Sequence, residues 1–192
     1  MNQLLDSEQL FPTVVLAWGL AEIALAATHR ARVHGGPTRD EGSFVFLFLA
    51  VAGGVTFASY SPFLPGPRLP GAAIQWTAVW GLLLVGIGMR WFSVVTLGRD
   101  FTVNVSTERT HRLVRTGLYR WMRHPSYTGL CLISLAAGIA YGTWLGLLVS
   151  LISVTTPLLY RIRVEEDVLT GLFGEEYREY CRHTKRLIPG IF

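Results

Sequence analysis

The sequence predicts an all-α integral membrane protein: about five transmembrane helices followed by short cytoplasmic helices at the C-terminus. Three observations lead there. Of the 192 residues, 51% are hydrophobic and only 16% are charged, whereas a soluble domain carries about 25% charged residues. The apolar residues fall in long blocks, the form a bilayer-spanning helix requires. The basic residues fall between those blocks on alternate connections, which is how membrane topology sorts charge. Mean hydropathy is +0.38. The formal charge of +4 follows that topology, so no nucleic-acid partner is expected.

The first span is expected over residues 11–28. Residues 1–10 hold Asp6 and Glu8 but no Lys or Arg. A cleaved signal would have a basic start, so this segment reads as an anchor that stays. Glu22 lies inside it, and an ionisable group at membrane depth either serves function or bonds to a neighbouring helix. The polar loop 29–42 carries Arg30, Arg32 and Arg39. A second span follows over 43–60, where Gly53-Gly54 allows a close helix approach. Residues 61–71 hold Pro62, Pro65, Pro67 and Pro70, which forbid continuous helix and predict a rigid outer loop. The third span covers 72–95. Its tryptophans serve as interfacial anchors or packing, and Arg90 near its end can snorkel to the surface.

Residues 96–122 form a long polar connection. Apolar helices over 127–140 and 144–160 are separated only by Tyr141-Gly142-Thr143, hence a tight hairpin (125–160). At ~1.5 Å per residue each spans roughly 20–25 Å, slightly less than the bilayer core. Short helices are expected at 165–173 and 175–184, joined at Gly174. Five spans place sixteen of the seventeen Lys and Arg on one side, Arg68 alone lying on the other. The positive-inside rule makes the charged side cytoplasmic, with the N-terminus outside and the C-terminus inside. The chain reads as one membrane domain, 1–192. Residues 1–95 carry three spans, and 96–192 carry the functional part and its cytoplasmic tail.

The chemistry concentrates in two polar stretches brought to the same face. The first, residues 111–129, ends in His124-Pro125 directly before an apolar run. Proline suits the first turn of a helix, which puts His124 at a helix mouth able to hold an anion. In the second, Arg161 and Glu165 share a helix face at i and i+4. Arg161 follows an apolar helix directly, where charges are rare without a role. Ser126 lacks the glycines of a nucleophile elbow. His111 and His124 have no cysteine pair beside them, so no metal is expected. Cys131 and Cys181 share no redox spacing. What remains is an arginine, paired carboxylates, a His-Pro mouth and several tyrosines. That set suits a zwitterionic cofactor beside an anionic substrate.

These residues also carry a family resemblance. Leu97-Gly98-Arg99-Asp100-Phe101-Thr102-Val103-Asn104, the stretch 111–114, Gly117 with Tyr119, and Arg123-His124-Pro125-Ser126-Tyr127-Thr128-Gly129 resemble the isoprenylcysteine carboxyl methyltransferase family. The tail does so too, through Arg161, Glu165-Glu166, Phe173-Gly174-Glu175-Glu176-Tyr177, Tyr180 and Pro189. Order and spacing match over roughly residues 90–192, in the manner of the short prokaryotic members. The resemblance implies a membrane enzyme using S-adenosyl-L-methionine (SAM), with a lipophilic substrate entering from the bilayer. Its position-by-position transfer implies cofactor contacts at Asn104, His111, Arg112, Leu113, Val114, Tyr119, His124, Pro125, Ser126, Tyr127 and Glu165. Arg161 would hold the substrate carboxylate, with Glu166 in support.

The expected function is therefore SAM-dependent carboxyl O-methylation of an isoprenylcysteine or similar lipophilic acid at the cytoplasmic face. The membrane would be the plasma or inner membrane of a prokaryote, or the endoplasmic reticulum of a eukaryote. A methyltransferase for another lipid, a phospholipid amine or a pyrone or phenol hydroxyl, is the alternative. A non-catalytic transporter or scaffold is a lesser one. Partners are the lipophilic substrate and membrane lipids; oligomeric state is left open.

Overall fold

A computed structural model describes residues 2–32, 43–70, 72–98 and 112–192. They form an all-α membrane protein. Six α-helices follow in order: α1 Asn2–Arg32, α2 Ser43–Tyr60, α3 Ala72–Leu97, α4 Pro125–Ala140, α5 Trp144–Phe173 and α6 Glu175–His183. Short 3₁₀ turns occupy Ser61–Phe63 and Gly117–Arg120. Among the described residues the only β pairing is two isolated bridges, Arg68 with Thr143 and Met122 with Lys185. Four helices are long and apolar enough to cross a bilayer, at Gln9–Ala26, Val45–Phe63, Gln75–Leu97 and Trp144–Phe173. The fifth apolar helix, α4, has 16 residues, roughly 24 Å.

One expectation needs correction. The segment 165–173 is not a separate helix: α5 runs unbroken through it for 30 residues and carries Pro157 inside. The change from apolar to polar at Arg161 is not a helix stop. No glycine or proline lies between Tyr160 and Val168 to end the helix. At roughly 45 Å, α5 outreaches a ~30 Å hydrocarbon core, so about ten residues project beyond it. Gly174, at φ +55°, then turns the chain into α6.

At the hairpin end, Gly142 adopts φ +68° and Thr143 caps α5 by accepting from the Gly146 N–H. The proline-rich loop docks on this turn, Leu69 N–H donating to the Gly142 carbonyl at 2.9 Å. Small residues let the helices meet closely. A Cβ on Gly54 would overlap Ser153, and a Cβ on Gly129 would lie 2.6 Å from the Gly86 carbonyl. Gly53 faces open space. The core lies between α1, α3 and α4 (Phe11, Val79, Leu83, Ile133 and Ala136), with a second cluster between α2, α4 and α5 (Leu47, Leu130, Val154 and Leu158). Trp18 packs against both. Trp76 is buried against Phe11, while Trp91 is exposed.

Candidate active site

At the end of the bundle opposite the hairpin, α4 begins where the connection, the overhang of α5 and the tail converge. His124 is the N-cap and Pro125 the first residue of α4. Tyr127 and Thr128 both donate their N–H to the His124 carbonyl. Those two amides are satisfied within the helix, so they do not reach out to an anion as the His-Pro mouth led us to expect. The tail locks this turn from outside. Arg123 N–H donates to Lys185 O at 2.7 Å and His124 N–H to Arg186 O at 2.9 Å. Thr128 Oγ1 donates to Leu187 O at 2.8 Å.

Arg161 is buried, only 3% exposed. Its Nε donates to the Tyr127 hydroxyl at 2.7 Å and to Glu165 Oε1 at 3.1 Å. The Tyr127 hydroxyl in turn donates to Glu165 Oε1. One edge of the guanidinium is thereby fixed in plane and direction. The Tyr127 ring stacks on His124 at 5.5 Å between centroids. His124 bridges the two carboxylates: Nδ1 lies 3.5 Å from Glu165 Oε2 and Nε2 3.4 Å from Glu166 Oε1. Burial alone would lower the His124 pKa; the hydrogen bonds and charges of Glu165 and Glu166 outweigh it and raise it. The ring therefore favours its protonated form.

Glu166, expected in support of Arg161, sits instead under two other arginines. Arg123 Nε donates to Oε1 at 2.8 Å, and Arg186 donates to Oε2 from Nε at 2.9 Å and Nη2 at 2.7 Å. Arg123 also donates to the carbonyls of Cys181 and Thr184. Tyr119 is buried, its carbonyl accepting from the Tyr180 hydroxyl at 2.6 Å, and burial pushes the Tyr119 phenol well above its usual range.

The structure thus gathers Arg161, Tyr127, Glu165, His124 and Glu166 into one network, with Pro125 and Ser126 at its base. Arg112 is exposed and Leu113 and Val114 half-buried, leading toward Tyr119 without joining the network. Asn104 and His111 lie outside the described residues. The sequence reading missed the roles of Arg123 and Arg186. Their partner Glu166 is 43 and 20 residues away, so no spacing rule links them. It also had Arg90 snorkelling, whereas Arg90 is buried at 8% exposure and forms a two-pronged pair with Glu22, at 2.9 and 2.7 Å.

The network of Arg161, Tyr127, Glu165, His124 and Glu166 lies within the part of the chain that matches a known family. The sequence model of the isoprenylcysteine carboxyl methyltransferase (ICMT) family matches residues 79–171. Over those residues the chain is similar to the ICMT family. Protein-S-isoprenylcysteine O-methyltransferase B of Arabidopsis thaliana is 30% identical over 120 residues, covering 60% of this chain and 61% of that protein. The Homo sapiens protein-S-isoprenylcysteine O-methyltransferase is 36% identical over 133 residues, covering 62% of this chain and 43% of its own length. The chain therefore spans less than two thirds of the length of these relatives. The structure of a eukaryotic intramembrane Ras methyltransferase ICMT superposes with a TM-score of 0.60 at 24% identity, covering 81% of this chain and 55% of that one. The likeness shows a shared fold over most of this chain.

Proposed function

We propose that the chain is a SAM-dependent carboxyl O-methyltransferase acting on an isoprenylcysteine-like lipophilic acid at the cytoplasmic membrane face. The observation that carries this reading is the Arg161–Tyr127–Glu165 arrangement: a buried guanidinium, aimed by two partners, at the point where α5 leaves the apolar bundle. A fork of this kind holds a carboxylate by both oxygens, which a lysine does not reproduce. The relatives named for isoprenylcysteine methylation support the same acceptor.

The residues present fit a sulfonium cofactor with an amino and a ribose part. Glu165 keeps 20% of its side chain exposed, and its Oε2 lies 3.5 Å from His124 Nδ1. That oxygen is placed to accept from an amine or a ribose hydroxyl. Pro125, Ser126, Tyr127 and the stretch 111–114 would complete the pocket, with Asn104 and Tyr119. When bound, SAM supplies a methyl group that is already electrophilic, so an ionised carboxylate needs no further activation. The protein's part is alignment and exclusion of water. Arg161 holds the acceptor's carboxylate in line and Tyr127 and Glu165 hold Arg161. Glu166 fastens the tail over the site through Arg123 and Arg186.

A phenol or amine acceptor would need a base. Among the described residues, His124 favours its charged form and the Tyr127 hydroxyl donates to Glu165. Both observations favour an acceptor that arrives ionised. In this reading the N-terminus lies outside and the C-terminus in the cytoplasm. Residues 96–192 then form the catalytic part on a platform of three spans.

The test uses purified protein, methyl-labelled SAM and a farnesylated cysteine analogue with a free carboxylate, scored by methanol released in alkali. Wild type should release label; Arg161→Ala should not, while binding SAM as wild type does. Equal loss of SAM affinity in that variant would contradict the assignment. Alkali-stable labelled product would reject the carboxylate acceptor.

A further inference from the structure

α1 lies outside the family match, which begins at residue 79, yet it sends one charged side chain toward the site. Glu22 takes two prongs of Arg90: Nε to Oε1 at 2.9 Å and Nη2 to Oε2 at 2.7 Å. Both side chains are about nine-tenths buried, at 10% and 11% exposure. The remaining arm of Arg90, Nη1, donates to Ser126 Oγ. Ser126 is the second residue of α4 and the neighbour of Tyr127, which aims Arg161. Arg90 is also close enough to interact electrostatically with Tyr127 and with Arg161. The crossing of α3 and α4 fixes this reach: a Cβ on Gly129 would stand 3.0 Å from the Arg90 amide nitrogen.

We propose that Glu22 of α1 is a positioning residue of the methyl-acceptor site, acting through Arg90 and Ser126. This rests on the acceptor site proposed above. A staple between two membrane helices needs only the two-pronged pair. The third arm, reaching the residue beside Tyr127, ties that pair to the chemistry. Two guanidiniums, Arg90 and Arg161, bond to the neighbouring residues Ser126 and Tyr127 of α4, and a carboxylate acceptor would be drawn to either. Glu22 saturates one edge of Arg90, and Ser126 takes the remaining arm. The acceptor is then left to Arg161, and Arg90 becomes a fixed donor that holds the start of α4. The first span thus selects which arginine receives the substrate.

The experiment compares wild type, Glu22→Gln, Glu22→Asp and the apolar double variant Glu22→Leu/Arg90→Leu. SAM affinity is measured by titration calorimetry, kcat and acceptor KM by alkali-released methanol, and folding by thermal unfolding in detergent. Removing only Glu22 exposes a rival cation, so the acceptor binds unproductively. Glu22→Gln should lower kcat about tenfold and lower acceptor KM as well, with SAM affinity unchanged. Glu22→Asp should recover part of kcat. The double variant removes rival and donor together. It should fold, since apolar replacement of a buried pair is tolerated, yet lose about tenfold in kcat/KM through a higher KM. The opposite directions of KM are a signature that a simple staple would not give. A folded double variant with wild-type kcat and KM would overturn the proposal, as would failure of all three variants to fold. A wild-type protein that binds SAM but methylates no carboxylate would reject the functional reading, and this inference with it.

Discussion

Replacing Glu166 by Gln keeps the side chain's volume and removes its charge, which isolates what that charge does. Its two oxygens anchor Arg123 at 2.8 Å and Arg186 at 2.7 and 2.9 Å, and through them the connection and tail. Stripping the partner from a buried charge costs about 3–5 kcal/mol. Arg123, at 11% side-chain exposure, keeps the carbonyls of Cys181 and Thr184, so its loss falls at or below the lower end of that range. Arg186, at 36%, is solvated enough to contribute under about 1 kcal/mol. Together these give roughly 2–4 kcal/mol, favouring opening of the tail by about 30-fold to several hundredfold. The assay is amide hydrogen exchange, with α6 and the segment after it compared against the α4–α5 hairpin in the same sample. Glu166→Gln should speed exchange selectively after Gly174. Unchanged protection there would refute the anchoring role, and equal acceleration in the hairpin would show a global effect.

Other outcomes follow from the same geometry. Gly129→Ala places a Cβ 2.6 Å from the Gly86 carbonyl, an overpacking of about 1–3 kcal/mol. It should lower the unfolding temperature in detergent, while Gly88→Ala, with nothing within 4 Å, should not; equal behaviour would deny the close crossing. Because the His124 pKa is raised, its contribution to stability is complete below the ordinary histidine value of about 6.5 and is lost as pH rises through the folded value. Unfolding temperature should fall over that alkaline-going range in wild type and fall less in His124→Gln; identical profiles would contradict the bridged, charged ring. Tyr180→Phe removes the bond to the Tyr119 carbonyl and should cost about 1 kcal/mol, near the size of one buried hydrogen bond. No change in unfolding temperature would show that bond to be dispensable. Glu165→Ala should weaken SAM binding in calorimetry, and unchanged affinity would reject its cofactor role.

Element by element, the apolar blocks named the helices well. The second span begins and ends where α2 does, and the third differs from α3 by two residues at its end. Length of apolar run and proline position decide these locally, because a backbone in lipid must satisfy its own hydrogen bonds. The failure at 160–165 has the same root. Polarity was taken for a helix end, yet Arg161 and Glu165 pair at i and i+4 and support the helix across that boundary. The side chains that the structure gathers into one network were legible where polar residues were dense, in His124 through Tyr127 and in Arg161 with Glu165.

What the sequence alone determined is the run of apolar helices, the hairpin of α4 and α5 and the dense polar stretches around His124 and Arg161. These follow from periodicity, turn chemistry and side-chain type, all properties of neighbours along the chain. Only the tertiary structure decided which charge meets which. Glu166 pairs with Arg123 and Arg186 instead of serving Arg161, and Glu22 reaches Arg90, 68 residues away. Each arginine could have taken any of several carboxylates. Buried charges must be paired where helix packing brings them within about 3 Å, and that choice belongs to the crossing of helices.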